Sequence, residues 1–324
     1  MHLTSYLFLI NQNIRKKTYS ICMKNQSCKI SQRKLLHLMC CSMKSKTIEA
    51  DIEATDSSTS RNGKHIEITS ESYRNDRISD AIVSEVYPLS SSVKGYKLKV
   101  LDTDFKFLAG QWVDTFIPDM KTVGGFSISS SPLLLKEEGY ITLGIKRSSW
   151  PPAKWFYDTC QPGHKVSLRV GGDFFYPQNE NEESDLLLVA GGVGVNPIFS
   201  IYSHYFDLRK LGEKSGKETQ NKVSLLFSAS YYDELLYKPS IDEMAKSFPE
   251  RINVQYFTTK EKYSGNRILS SRISLEHVKE ALSNLNQSQT KVYICGPPTM
   301  IKSINKFALE CGIPKARIFF EKWW

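Results

Sequence analysis

The 324-residue sequence has no Cys-x-x-Cys pair, no internal repeat and no apolar run long enough for a membrane span. Without paired cysteines, no zinc or iron–sulfur ligand set of the usual spacing is present. Cys160, Cys295 and Cys311 are scattered through the body and make no disulfide framework, which points to a reducing compartment. The run Leu7 to Ile10 is too short to cross a bilayer, so no integral membrane segment is expected. Acids are missing altogether from residues 1–48, whose nine lysines and arginines account for the formal charge of +9. The rest of the chain is neutral and poor material for a nucleic-acid-binding face.

What is there reads as a soluble globular protein, 40% hydrophobic and 24% charged, with length for two domains. The basic leader 1–48, rich in Ser, Thr, Asn and Gln, fits a cleaved mitochondrial transit peptide. A secretory signal on Leu3 to Ile10, or a cytoplasmic protein with a plain polar tail, are the rival readings. Residues 49–75 read as a polar linker.

From Ile78 the texture becomes short strand-like pieces divided by turn residues. They are Ile78 to Tyr87, Gly95 to Leu101, Trp112 to Ile117, Phe126 to Ser130, Tyr140 to Lys146 and Lys165 to Val170. With one helical piece near Pro152 to Cys160, they predict a small antiparallel barrel over 76–180. Beyond it, 181–324 alternates. Strands are expected at Leu186–Ala190, Val223–Ser228, Ile252–Thr258, Val292–Cys295 and Ile318–Phe320. Helices are expected at Pro197–Leu211, Lys238–Lys246, Leu275–Leu285 and Pro298–Cys311. That alternation predicts an α/β domain with a parallel sheet and ligands at its carboxyl edge.

Two glycine turns carry the chemistry. In Leu186 to Ser200, a buried-type strand runs into Gly191, Gly192, Val193, Gly194 and Val195, and then Asn196-Pro197 opens a helix. Asn as N-cap and Pro at the first position suit a helix N-terminus that attracts phosphate, although Pro197 stands where a third fingerprint glycine would be. In Val292 to Met300, a second strand ends in Cys295-Gly296 before Pro297-Pro298 starts another helix. Cys295 reads either as a small buried hydrophobe or as a thiol touching a bound planar ring.

Five segments in order give the resemblance: Ala109-Gly110-Gln111-Trp112, Gly125 to Pro132, Gly191 to Pro197, Cys295 to Met300, and the aromatic terminus Phe319 to Trp324. From about Ile78 onward the chain resembles the ferredoxin–NADP reductase superfamily, and within it the oxidoreductase NAD-binding domain-containing group. The resemblance implies FAD on the barrel, a nicotinamide dinucleotide on the α/β domain, and hydride passing from one to the other. Phe126 and Ser127 would then lie at the flavin, and Gly191 to Asn196 at the dinucleotide pyrophosphate. Cys295, Gly296 and Pro297 would lie at the nicotinamide, and Trp323 or Trp324 over the isoalloxazine. Ser127 and Cys295 are the candidate catalytic residues.

Two departures stand against it. Gly124 replaces the arginine that clamps the FAD pyrophosphate in the family, a charge-assisted contact of about 1.5–3 kcal/mol. Ser149 to Trp155 also lacks the family's glycine and serine, leaving Lys154 as a candidate phosphate partner, with Lys146 and Arg147 as alternatives. No arginine occurs between Arg209 and Arg251, which favours NAD over NADP. The expectation is a flavin-dependent NADH oxidoreductase passing electrons to an unidentified acceptor, a haem or iron–sulfur protein among the candidates. The alternative is an NAD-binding protein that has lost flavin and turnover and acts as a partner subunit.

Overall fold

The computed structural model describes residues 65–177, 184–216, 220–263, 265 and 267–322. The leader and the terminal Trp323 and Trp324 lie outside the described residues. Among the described residues, no helix is long and apolar enough to cross a membrane, and no cluster of three or more His, Cys, Asp or Glu could hold a metal.

A short helix α1 (His65–Ile68) leads into strands β1 (Ser79–Pro88), β2 (Val93–Val100), β3 (Trp112–Phe116), β4 (Gly124–Ser127), β5 (Tyr140–Lys146) and β6 (Lys165–Gly171). Helix α2 (Pro132–Glu138) precedes β5 and α3 (Pro151–Asp158) follows it. The strands pair antiparallel in the order β4-β3-β6-β1-β2-β5. Ile128, just past β4, bridges Leu143 of β5, and Ser129 N–H donates to the Thr142 carbonyl at 2.8 Å. That contact joins the two outer strands, so the sheet closes as a barrel with no long open edge. The inward residues of alternate positions, such as Tyr96, Leu98, Ile141 and Leu143, are fully buried.

The second sheet is wholly parallel, in the order β10-β9-β8-β7-β11-β12. Its strands are β7 (Leu186–Gly191), β8 (Val223–Ala229), β9 (Ile252–Thr258), β10 (Ile268–Leu269), β11 (Lys291–Cys295) and β12 (Ile318–Glu321). Helices α4 (Val195–Ser215), α5 (Lys238–Ser247), α6 (Leu275–Ser283) and α7 (Pro298–Glu310) connect them. Every residue of β7 is buried, as expected of a central strand covered on both faces. The chain leaves β7 toward β8 on one side, and β11 pairs with β7 on the other. The carboxyl ends of β7 and β11 therefore flank the switch point where α/β sheets bind ligands.

The structure departs from the sequence reading in a few places. Helix α2 and the two-residue strand β10 were not expected, because seven and two residues are too short to show a period. Helix α4 begins at Val195 with Gly194 as its N-cap, so Asn196 is not the cap but sits inside the first turn. The segment around His65, read as polar linker, is packed onto the barrel. Fully buried Asp114 of β3 accepts from His65 Nε2 at 2.8 Å, Arg74 Nε at 3.0 Å, and Arg169 at 2.8 and 2.6 Å. Burial alone would raise that carboxyl. The bonds from His65 and Arg169 and the nearby Arg74 charge outweigh it, holding Asp114 below the usual carboxylate range.

His204 on α4 lies buried with neither ring nitrogen hydrogen-bonded, and burial pushes its pKa down from 6.5 to about 4. The unfolded chain therefore binds a proton that the folded chain refuses between those values. Stability from this group is complete above the unfolded value and is lost as pH falls toward the folded one. From about pH 7 to about pH 5, denaturant unfolding should lose roughly 2 kcal/mol that a His204→Leu variant keeps. Equal losses in the two proteins would contradict it.

Candidate functional site

β7 delivers the chain to Gly191, and the single turn Gly192–Gly194 swings it into α4. Gly192 holds φ +54, with open space where a side chain would stand. That left-handed backbone suits glycine, and the empty space lets a ligand approach the main chain. At Gly194 the constraint is packing: a Cβ would run into the backbone carbonyl of Cys295. The two glycine turns thus sit back to back, with Cys295 registered beside Ala190.

A cleft of about 810 Å³ opens here between the parallel sheet and the barrel. On one side lie Gly191 to Gly194, Asn196, Cys295, Gly296 and Pro297; on the other lie Phe126 and Ser127 with Ile145 to Ser148 and Trp150. The structure brings these predicted residues into one space. Val195 does not line it and is fully buried behind the turn. The positive end of the 21-residue α4 lies at the turn, an arrangement that favours a phosphate group.

Asn196 belongs to the cleft wall in another capacity. Its side-chain amide donates to the Gly144 carbonyl of β5 at 2.7 Å, and its Oδ1 accepts from the Tyr237 hydroxyl at 2.8 Å. One turn on, Ser200 Oγ donates to the Ser130 carbonyl at 2.6 Å. Buried bonds of this kind, with both partners satisfied, fix the sheet domain against the barrel.

Phe126 packs edge-on to Phe156 at 5.2 Å and tilted to Trp150 at 5.8 Å, offering the cleft an apolar aromatic wall. The Ser127 hydroxyl reaches Glu321 Oε2 of β12 at 3.5 Å. Glu321 is a buried carboxylate that the sequence reading missed; an acid closing the apolar strand Ile318–Glu321 was its only signal. Cys295 lines the cleft but is 1% exposed and belongs to the hydrophobic core of the sheet domain.

Lys154 is not at the site. Its side chain is 65% exposed on the outer face of α3 and pairs with Asp158 at 2.7 Å. Helix α3 buries Pro152, Ala153 and Phe156, and that face leaves position 154 pointing outward. Lys146 and Arg147 do line the cleft, as do Arg272 and, at the end of β8, Ser228, Ala229 and Ser230. Arg272 comes from a loop remote in sequence, so a search confined to the end of β8 could not find it. Trp324 lies outside the described residues.

At position 124 no arginine could leave the backbone without rearrangement, since a Cβ would stand 2.6 Å from the Phe126 ring and 3.0 Å from Pro152. The residues present fit a flavin ring, with an apolar wall at Phe126 and Trp150 and a hydroxyl at Ser127. Cationic charge for its phosphates stands at Lys146 and Arg147 instead. Gly192→Leu would place a side chain in the cleft and add about 1–2 kcal/mol of left-handed backbone strain. Calorimetric titration should show NADH affinity falling at least roughly tenfold; unchanged affinity would remove the turn from the site.

A family model described as oxidoreductase NAD-binding domain matches residues 188–306. The Xenopus laevis protein named oxidoreductase NAD-binding domain-containing protein 1 is 41% identical over 270 residues, covering 82% of this chain and 86% of its own. The Homo sapiens protein of that name is 40% identical over 271 residues, with coverage of 82% and 86%. Among solved structures, Amycolatopsis cytochrome P450 reductase is similar with a TM-score of 0.63 at 20% identity, over 76% of this chain and 69% of that one. The flavohem-like FAD/NAD-binding domain of nitric oxide dioxygenase from Vibrio cholerae gives 0.62 at 20% identity, over 76% and 98%. With this identity over most of its length, the chain belongs to the oxidoreductase NAD-binding domain-containing protein 1 family, built on the ferredoxin reductase-like two-domain fold.

Proposed function

We propose that the chain is an NAD(P)H-dependent flavin oxidoreductase that passes electrons to a separate acceptor. One observation carries this reading: Phe126 and Ser127 of the barrel and Gly191 to Gly194 with Cys295 to Pro297 of the sheet domain line a single cleft. The turn and the α4 N-terminus hold the dinucleotide diphosphate through main-chain N–H groups. Cys295 and Gly296 flank the nicotinamide, and their small size permits close approach. Phe126 and Trp150 exclude water from the opposite wall, and Ser127, steadied by Glu321, offers a hydroxyl between the two halves. FAD bound there would supply the hydride-accepting chemistry, and no general base is required of the chain. Its own contribution is to orient two rings in contact.

With Arg272 available to a 2′-phosphate and Ser228 and Ser230 to a hydroxyl in the same cleft, both nicotinamide cofactors are included. The acceptor is a haem or iron–sulfur protein. Solved structures with this fold include a flavohemoglobin from Malassezia yamatoensis and the ferredoxin reductase in carbazole 1,9a-dioxygenase. The acid-free leader supports maturation in mitochondria.

Gly124 favours a second reading, a dinucleotide-binding protein without flavin. Expression of the full chain with ample FAD separates the two. The oxidoreductase reading expects a yellow protein with an absorption band near about 450 nm, and NADH oxidation with ferricyanide. Colourless protein that binds NADH but does not oxidise it would establish the second reading.

A further inference from the structure

A second cavity, of about 920 Å³, lies where α2 and β1 of the barrel meet α4 and α5 of the sheet domain. Phe199, Ser203 and Asp207 of α4 line it, spaced four apart and therefore on one helical face. Its lining has the opposite charge from the cofactor cleft. Five carboxylates, Glu137, Glu138, Asp207, Asp233 and Asp242, stand against a single cation, Lys238. A nucleotide diphosphate is repelled there.

Two of the five carboxylates have a cation, and exposed Asp233 has a serine hydroxyl. Lys238 pairs with Asp242, Lys97 pairs with Glu138, and Asp233 accepts from Ser91. Asp207 has a hydrogen bond from the Ser131 hydroxyl and no cation among the described residues. Burial first, and then nearby Glu137, raise its carboxyl above the usual value. Beside it, Ser203 is 7% exposed and its buried hydroxyl has no partner. A buried hydroxyl is rarely left unpaired, and beside half-buried Asp207 it marks a place shaped for a ligand that donates hydrogen bonds and carries positive charge.

The remaining wall is aromatic. Phe199 and Tyr237 stack with ring centres 4.4 Å apart and planes within 2°. Tyr237 holds φ +60, a left-handed conformation costly for a non-glycine residue. That conformation is kept by the stack and by the bond from its hydroxyl to Asn196. Flat faces of this kind attract both apolar bodies and ammonium groups.

We propose that this cavity binds an organic cation with an apolar body, of the alkyl- or arylamine class. Its ammonium sits on Asp207 and Ser203, and its body lies against Phe199 and Tyr237. The claim is independent of what the cofactor cleft holds.

Calorimetric titration of the full chain with 2-phenylethylammonium chloride tests it, with 2-phenylethanol as the neutral isostere. The amine should bind with a dissociation constant below about 1 mM, and the alcohol at least roughly tenfold more weakly. Asp207→Asn keeps an acceptor for Ser131 and should weaken the amine by about tenfold or more. Exposed Glu137→Gln, which leaves the fold untouched, should weaken it by roughly two- to fivefold. No binding of the amine at about 10 mM, equal binding of the alcohol, or wild-type affinity in both variants would overturn the proposal.

Discussion

The side chain of Asn196 is the fastening on which the rest depends. It is buried in the first turn of α4, donating to a barrel carbonyl and accepting from the Tyr237 hydroxyl. Helix α4 begins directly from the glycine turn, so whatever positions its first turn also positions the glycine turn. Gly144, the carbonyl that receives the amide, itself lines the same cleft. That side chain thus ties the two walls of the cleft together directly. Ser200 repeats the attachment one turn later at Ser130. Such bonds matter because a buried donor or acceptor left without its partner is costly.

Much of this was legible. Buried parallel strands make continuous apolar runs, and Leu186 to Ala190 and Val292 to Cys295 stood out for that reason. Glycine after such a run signals close approach, and the structure brings both turns together. What stayed hidden was polar and long-range. Asn196 read as a cap because Asn commonly caps; its use as a tie between domains needs the barrel in place. Lys154 read as a phosphate partner from charge alone, although the buried positions 152, 153 and 156 of α3 already direct it outward. His65 and Arg74 converge on Asp114 from a stretch whose composition is that of a linker. A hydropathy pattern does not show a buried ion cluster.

Position 124 shows how the barrel has diverged without losing its shape. Phe126 and Pro152 occupy the space into which a longer side chain would grow, so the glycine is required by packing. Positive charge stands at Lys146 and Arg147 at the end of β5, where Lys146 meets Glu234 at 3.2 Å. Point charges at the rim hold a phosphate with less geometric restraint than a buried fork. The barrel side of the cleft keeps the aromatic and hydroxyl wall of Phe126 and Ser127, while its cationic groups stand at the rim.

The central claim is that the cleft holds two rings in contact for direct transfer. Anaerobic stopped-flow mixing of the FAD-loaded full chain with NADH deuterated at nicotinamide C4 tests it most directly. Direct transfer requires the 450 nm absorbance to fall, and to fall about two- to sevenfold more slowly with the transferred hydrogen labelled. Absorbance that stays constant while NADH remains bound would contradict it.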